Sequence, residues 1–258
     1  MYHCRVLTAT ETTIDHRWRY NLYDPFWRLY RNREHGAVLI SAHGERPVAA
    51  GECLLLPAWT RFSTRCTGSV RHTYLHFEVI GLPGAWIRDH CAMAVLPTRE
   101  DWNGLLDALP LHRESQWSLH LKIQAMLCAA VALAIDHVDS RASAVEAASS
   151  GEREAISPVV RWIESHLADP LPVEALAQRS GFSRDHFTRI FTRAMGSSPA
   201  RHVAERRIAA AAVRLLRSDD PIEDIAAAVG FANRYHFSRV FHRILGITPA
   251  AYRRQGRA

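Results

Sequence analysis

The sequence predicts an α+β protein with segregated elements: a β-rich N-terminal half closed by a helix, then an all-α C-terminal part. Three observations predict it. Short apolar segments between Leu29 and Val79 are punctuated by turn residues. From about Ser115 the apolar period becomes that of a helix. After Ser157 one helical unit occurs twice. Strands first and helices afterwards, rather than alternating, give an α+β arrangement.

A chain of 258 residues can hold two domains, each with its own core. With 48% hydrophobic and 22% charged residues, disorder is excluded. The most apolar run, Ala125–Ile135, is about half the ~20 residues a bilayer span needs, so no membrane partner is expected. Met1-Tyr-His-Cys-Arg-Val lacks the apolar core of a signal peptide. Five cysteines without CxxC spacing argue against a zinc ribbon or a disulfide scaffold; a reducing, cytoplasmic location is expected.

The predicted strands are Ala37–Ser41, Glu52–Leu56 and Val70–Val79, separated by turns at His43-Gly44, Ala50-Gly51, Leu56-Pro57 and Thr67-Gly68. Their even spacing suits a small sandwich or barrel. Along Val70–Val79, Thr73, Leu75, Phe77 and Val79 share one face, and His72, Tyr74, His76 and Glu78 the other. The second face reads as the polar outside of a half-buried strand, or as the lining of a ligand pocket; no metal and no cofactor are expected. Trp18, Tyr20, Trp27 and Tyr30 read mostly as core. From Ser115 to Val138, Leu119, Ile123, Met126/Leu127, Ala130 and Ala134 form one apolar stripe of a helix. This stripe is expected to pack on the strands and on a partner helix together. Arg141–Gly151, rich in Ala and Ser, reads as a linker.

The C-terminal repeat is the most informative feature. PVEALAQRSGF (Pro172–Phe182) aligns with PIEDIAAAVGF (Pro221–Phe231), and Ser183–Ala200 aligns with Asn233–Ala250. Each copy reads as a short helix, a glycine turn at Gly181 or Gly230, a cap at Ser183 or Asn233, and a longer helix. Phe187, Ile190, Phe191 and Ala194 face inward in the first copy; Phe237, Val240, Phe241 and Ile244 do so in the second. The outward faces carry Arg184, Asp185, Thr188, Arg189 and Thr192, then Arg234, Tyr235, Ser238 and Arg239. A glycine turn between a short helix and a longer, polar-faced one suits a DNA major groove. A helix from Pro199 to about Arg217 would join the two units and hold them about one DNA turn, ~34 Å, apart.

Charge agrees with that reading. Residues 1–151 hold 15 basic and 15 acidic residues, whereas residues 152–258 hold 17 arginines and 11 acids. The net charge of +6 therefore belongs to the repeat-bearing part, as a polyanion partner would require.

Residues 157–255 resemble the DNA-binding domain of the AraC/XylS family of bacterial transcription regulators. The matching segments include Ile163-Glu-Ser-His-Leu, Gly181-Phe-Ser, His186-Phe-Thr-Arg-Ile-Phe, Arg207-Ile208, Val229-Gly-Phe, Phe237-Ser-Arg-Val-Phe and Gly246-Ile-Thr-Pro. The resemblance implies that Arg184, Asp185, Thr188, Arg189, Arg234, Tyr235, His236 and Arg239 touch base edges. Asp185 would accept from a cytosine amine or, the favoured reading, pair with Arg189 one turn on. The N-terminal half is similar, through Pro25-Phe-Trp-Arg-Leu-Tyr, Ala50-Gly-Glu-Cys-Leu-Leu-Leu-Pro and His72–Phe77, to the cupin-like sensory domain of the same family. That implies a cupin-like barrel with a dimerisation helix over residues 1–140, a linker over 141–156 and a double helix-turn-helix domain over 157–258.

The function implied is a sequence-specific, ligand-responsive activator of carbon-source genes, sugars among them, that dimerises and engages RNA polymerase. Trp27, Tyr30, His43 and His72 are the candidate lining for a small, neutral, polar effector. Two rivals stand beside it: a cupin-like metal enzyme with an accessory DNA-binding domain, and a regulator whose barrel only dimerises. Cupin-type metal enzymes carry an HxH pair, which this chain lacks; nor has it a G-x-S-x-G elbow or a glycine-rich phosphate loop.

Overall fold

The computed structural model describes residues 2–109, 117–136 and 150–255. The chain divides into two compact units, one comprising Tyr2–Ile80 and Ile87–Asp139, the other chiefly Ser140–Ala258 together with Gly81–Trp86.

The first unit carries β1 (His3–Ile14), β2 (Asn21–Tyr23), β3 (Trp27–Asn32), β4 (Ala37–Ser41), β5 (Gly44–Pro47), β6 (Cys53–Leu56), β7 (Arg61–Cys66) and β8 (Val70–Ile80). After α1 (Gly84–His90) come β9 (Ala94–Leu96), α2 (Glu100–Ala108) and α3 (Trp117–Asp136). The strands form two antiparallel sheets, ordered β1-β8-β3-β6-β9 and β2-β7-β4-β5. Their shared core takes Tyr30, Leu54, Leu56 and Val70 from the first sheet and Ala37, Leu39, Phe62 and Cys66 from the second. The three strands read from sequence are present, β6 one residue shorter and β8 one longer. The long β1 escapes such reading because it is an edge strand with weak alternation: of its residues only Cys4 and Ile14 are buried.

Register determines the two faces of the first sheet. Trp27 lies opposite Phe77 and Leu29 opposite Leu75, while Arg28, Tyr30 and Asn32 lie opposite His76, Tyr74 and His72. Helix α3 packs against β1, β6 and β9 and buries Ile123, Met126, Leu127, Ala130, Val131 and Ala134. From Ile123 onward, the stripe expected to serve the strands and a partner together is therefore core, while Leu119 at its start is half-buried. Although its 20 residues would suit a membrane span by composition, these six positions are covered by protein.

The second unit is built of α4 (Ser150–Ser165), α5 (Val173–Arg179), α6 (Arg184–Met195), α7 (Pro199–Arg217), α8 (Ile222–Ala228), α9 (Arg234–Leu245) and α10 (Pro249–Gln255). One core joins Ile156, Val159, Val160 and Ile163 of α4 to Leu176, Phe187, Ile190, Phe191 and Val203. The linker expected through residue 156 is thus corrected at its C-terminal end, since α4 begins at Ser150 and runs through Pro158. Burial of Ile156 and an ion pair from Glu152 to Arg193 (2.6 Å) hold that extra length of helix in place. Residues 141–149 lie outside the described residues.

Candidate nucleic-acid interface

The two repeats fold alike. In the first, Gly181 takes φ +74 after α5, and the Ser183 hydroxyl caps α6 by accepting from the His186 amide. Gly196, at φ +67, ends that helix. In the second, Gly230 takes φ +86, the Asn233 carbonyl oxygen accepts from the His236 amide at 2.8 Å, and Gly246 ends α9 at φ +75. A short polar cap and a left-handed glycine thus set where each longer helix starts and stops. Inside, Phe187 packs on Phe191 and Phe237 on Phe241, with ring centroids 5.4 and 5.5 Å apart. Ile244, expected inside, is only half-buried.

This packing leaves one face of α6 and of α9 to solvent. Arg184, Asp185 and Arg189 are exposed on the first and Thr188 is half-buried; Arg234, Tyr235, His236 and Arg239 are exposed on the second. Tyr235 is 87% exposed, a large aromatic surface with no burial of its own. The expected Asp185–Arg189 pair is corrected: among the described residues no such ion pair forms, and Arg189 instead donates to Nδ1 of His186 at 2.9 Å. Arg184 pairs with Glu174 of α5 at 2.9 Å, both well exposed and so weakly held. Imidazoles mark the same place in each unit: His186 sits edge-on to Phe182 and His236 to Phe231, at 4.9 and 5.5 Å. The repeat of F-x₃-H and F-x₄-H was the available signal for that anchor.

In the first unit, the four candidate lining residues do not converge. Tyr30 and His72 do, with ring centroids 4.6 Å apart. Trp27 is on the opposite face of β3, against Phe77, because neighbouring strand residues point opposite ways. His43 is exposed at the turn between β4 and β5. The polar face of β8 is likewise not an outer surface. His72 lies within 5.2 Å of Trp18 and stacks on Tyr74, which in turn meets His76 at 4.9 Å. Burial keeps these imidazoles neutral: the His72 pKa is lowered to about 3 and that of His76 falls well below the usual range, the latter aided by Arg28. The Tyr30 hydroxyl is pushed up to about 12 by the same desolvation. His72 Nδ1 donates to Asn32 Oδ1 at 2.7 Å, and the buried Asn32 Nδ2 has no protein partner among the described residues. Arg28 is neutralised by the buried carboxylate of Asp24. Alternation in Trp27–Asn32 was the signal that puts Arg28, Tyr30 and Asn32 on one face. Among the described residues, no three His, Cys, Asp or Glu side chains gather as a metal cluster.

Comparison with known proteins places the repeat. The family described as "Helix-turn-helix domain" matches residues 176–255. The uncharacterized regulator YbfP of Bacillus subtilis is 40% identical over 81 residues, 31% of this chain and 28% of its own length. Regulatory protein SoxS of Salmonella typhimurium is 33% identical over 82 residues, 32% of this chain and 77% of its own length. The solved structure of ToxT from Vibrio cholerae aligns over 98% of both chains with a TM-score of 0.53 at 15% identity, a likeness of fold. This chain thus spans about a quarter of YbfP and most of SoxS. With most of SoxS covered at that identity, and with both helix-turn-helix units in place, the chain belongs to the AraC/XylS family of transcriptional regulators.

Proposed function

We propose that this protein is a dimeric, effector-responsive regulator that reads two major-groove sites about one turn apart. The observation that carries the reading is the duplicated exposed face. Arg184, Asp185, Thr188 and Arg189 form one reader; Arg234, Tyr235, His236 and Arg239 form the other. Arginine makes bidentate contacts to guanine, and an unpaired Asp185 accepts from a cytosine amine. Selection from random duplex DNA by the full-length protein tests this. Two conserved half-sites roughly 10 base pairs apart are expected; recovery of no common sequence overturns it.

The effector proposed is a small, neutral, polar metabolite of the carbon-source class held between the sheets. Its support is the aromatic surroundings of Tyr30, His72 and Trp18, the unpartnered Asn32 Nδ2, and the mutual neutralisation of Arg28 and Asp24. Activation through RNA polymerase and a cytoplasmic location complete the reading. Dimerisation is assigned to the N-terminal turns of the outward face of α3, where Trp117 is 84% and Leu121 63% exposed. A thermal-shift screen of the full-length protein with neutral sugars and related metabolites checks the sensor. If none raises the melting temperature, the barrel serves dimerisation alone.

A further inference from the structure

We infer that Cys4 and Cys128 are a redox-active thiol pair that closes reversibly into a disulfide stapling α3 to β1. The two residues are 124 positions apart in the chain, yet their sulfurs stand 3.4 Å apart. A disulfide requires ~2.05 Å, a closure within reach of small side-chain rotations. The neighbourhood is braced beside the pair, since Gln124 Nε2, one turn before Cys128, donates to the carbonyl oxygen of Cys4 at 3.2 Å.

The environments divide the labour. Cys128 is exposed on α3, whereas Cys4 is buried. Burial and the adjacent Cys128 push the Cys4 thiol far up, so it stays protonated and is not the first group an oxidant meets. With a peroxide as oxidant, the Cys128 thiol gives up its proton as its sulfur attacks one peroxide oxygen; the O–O bond breaks, the departing hydroxide takes up that proton and leaves as water, and a sulfenic acid remains on Cys128. The Cys4 sulfur then attacks the Cys128 sulfur. The S–S bond forms, the S–O bond breaks, and the hydroxyl departs as water with the Cys4 proton. Two thiols lose two electrons and the peroxide is reduced to two waters. A dithiol reductant reverses the step by exchange.

Of the other cysteines, Cys53 and Cys66 are buried, and the Cys91 thiol is pushed up to about 12 by desolvation. The selectivity is therefore testable on the full chain. Reduced protein is treated with a small excess of hydrogen peroxide, blocked with N-ethylmaleimide and mapped by peptide mass spectrometry. The expected result is a Cys4–Cys128 linked peptide, a fall from five free thiols to three, and recovery of all five with dithiothreitol. Cys128→Ser, a substitution at an exposed position, should retain its four thiols at the same dose. Three outcomes would overturn the inference: Cys128 carried to sulfinic acid while Cys4 remains free, a link between Cys128 residues of two chains, or pairing of Cys4 with another cysteine.

Discussion

The guanidinium of Arg207 closes over Gly230: a Cβ on that glycine would stand 2.8 Å from Arg207 Nη2 and 2.4 Å from the Leu167 carbonyl oxygen. Arg207 is itself held there, donating to the carbonyls of Leu167 and Asp169 at 2.9 and 2.7 Å. The equivalent glycine of the first repeat, Gly181, has open space where a Cβ would go. Both glycines are left-handed, which costs an alanine about 1–2 kcal/mol. Gly181→Ala should therefore lose only that much, whereas Gly230→Ala must also displace backbone and should lose about 3 kcal/mol or more. Denaturant unfolding of the full-length variants measures both; equal losses would contradict the asymmetry.

Arg189 and Arg239 occupy matched exposed positions on α6 and α9. Arg→Ala at either should weaken binding to the selected operator by about 1–3 kcal/mol and relax preference at one half-site only. Titration against operator and random DNA distinguishes base reading from phosphate contact, since a phosphate contact would weaken both equally.

On α3, Ile123 is buried against the sheet while Leu121 is exposed two positions earlier. An aspartate at Ile123 would be an unpaired buried charge, so Ile123→Asp should unfold the first unit. Leu121→Asp should leave circular dichroism and melting of the monomer intact and dissociate the proposed dimer. Sedimentation velocity reads the difference. A dimer unchanged by Leu121→Asp would move the interface off this face.

His202, on α7, is buried against the edge of Phe191, and its Nε2 has no partner among the described residues. Desolvation, with Arg206 on the same helix, lowers its pKa to about 4, with Glu164 of α4 opposing the shift. The folded state thus binds this proton less readily than the unfolded chain, whose histidine titrates near 6.5. Stability is full above ~6.5 and is lost as pH falls toward ~4, by about 2 kcal/mol between pH 7 and 5. His202→Phe keeps the ring shape and should flatten that part of the pH profile, as measured by urea unfolding across the range. A slope unchanged by the substitution would place the proton uptake elsewhere, His72 and His76 being the other desolvated imidazoles.

The sequence by itself determined the double helix-turn-helix. Its information is local and written twice: Ser183 and Asn233 cap, Gly181 and Gly230 turn, and the phenylalanines at Phe187/Phe191 and Phe237/Phe241 face inward at helical spacing. Helical period, capping and left-handed glycine act within a few residues, so they can be read without knowing the tertiary neighbours. Tertiary structure alone decided what those neighbours are. It made Ile123 and Met126 core rather than interface, because only the sheet beneath α3 determines which side of an apolar helix is covered. It turned His72 and His76 inward and separated Trp27 from Tyr30, because alternation divides a strand into two faces but does not say which one meets the second sheet. It also brought the sulfur of Cys4 to that of Cys128 across 124 positions, a proximity created by packing α3 on β1 and carried by no local pattern.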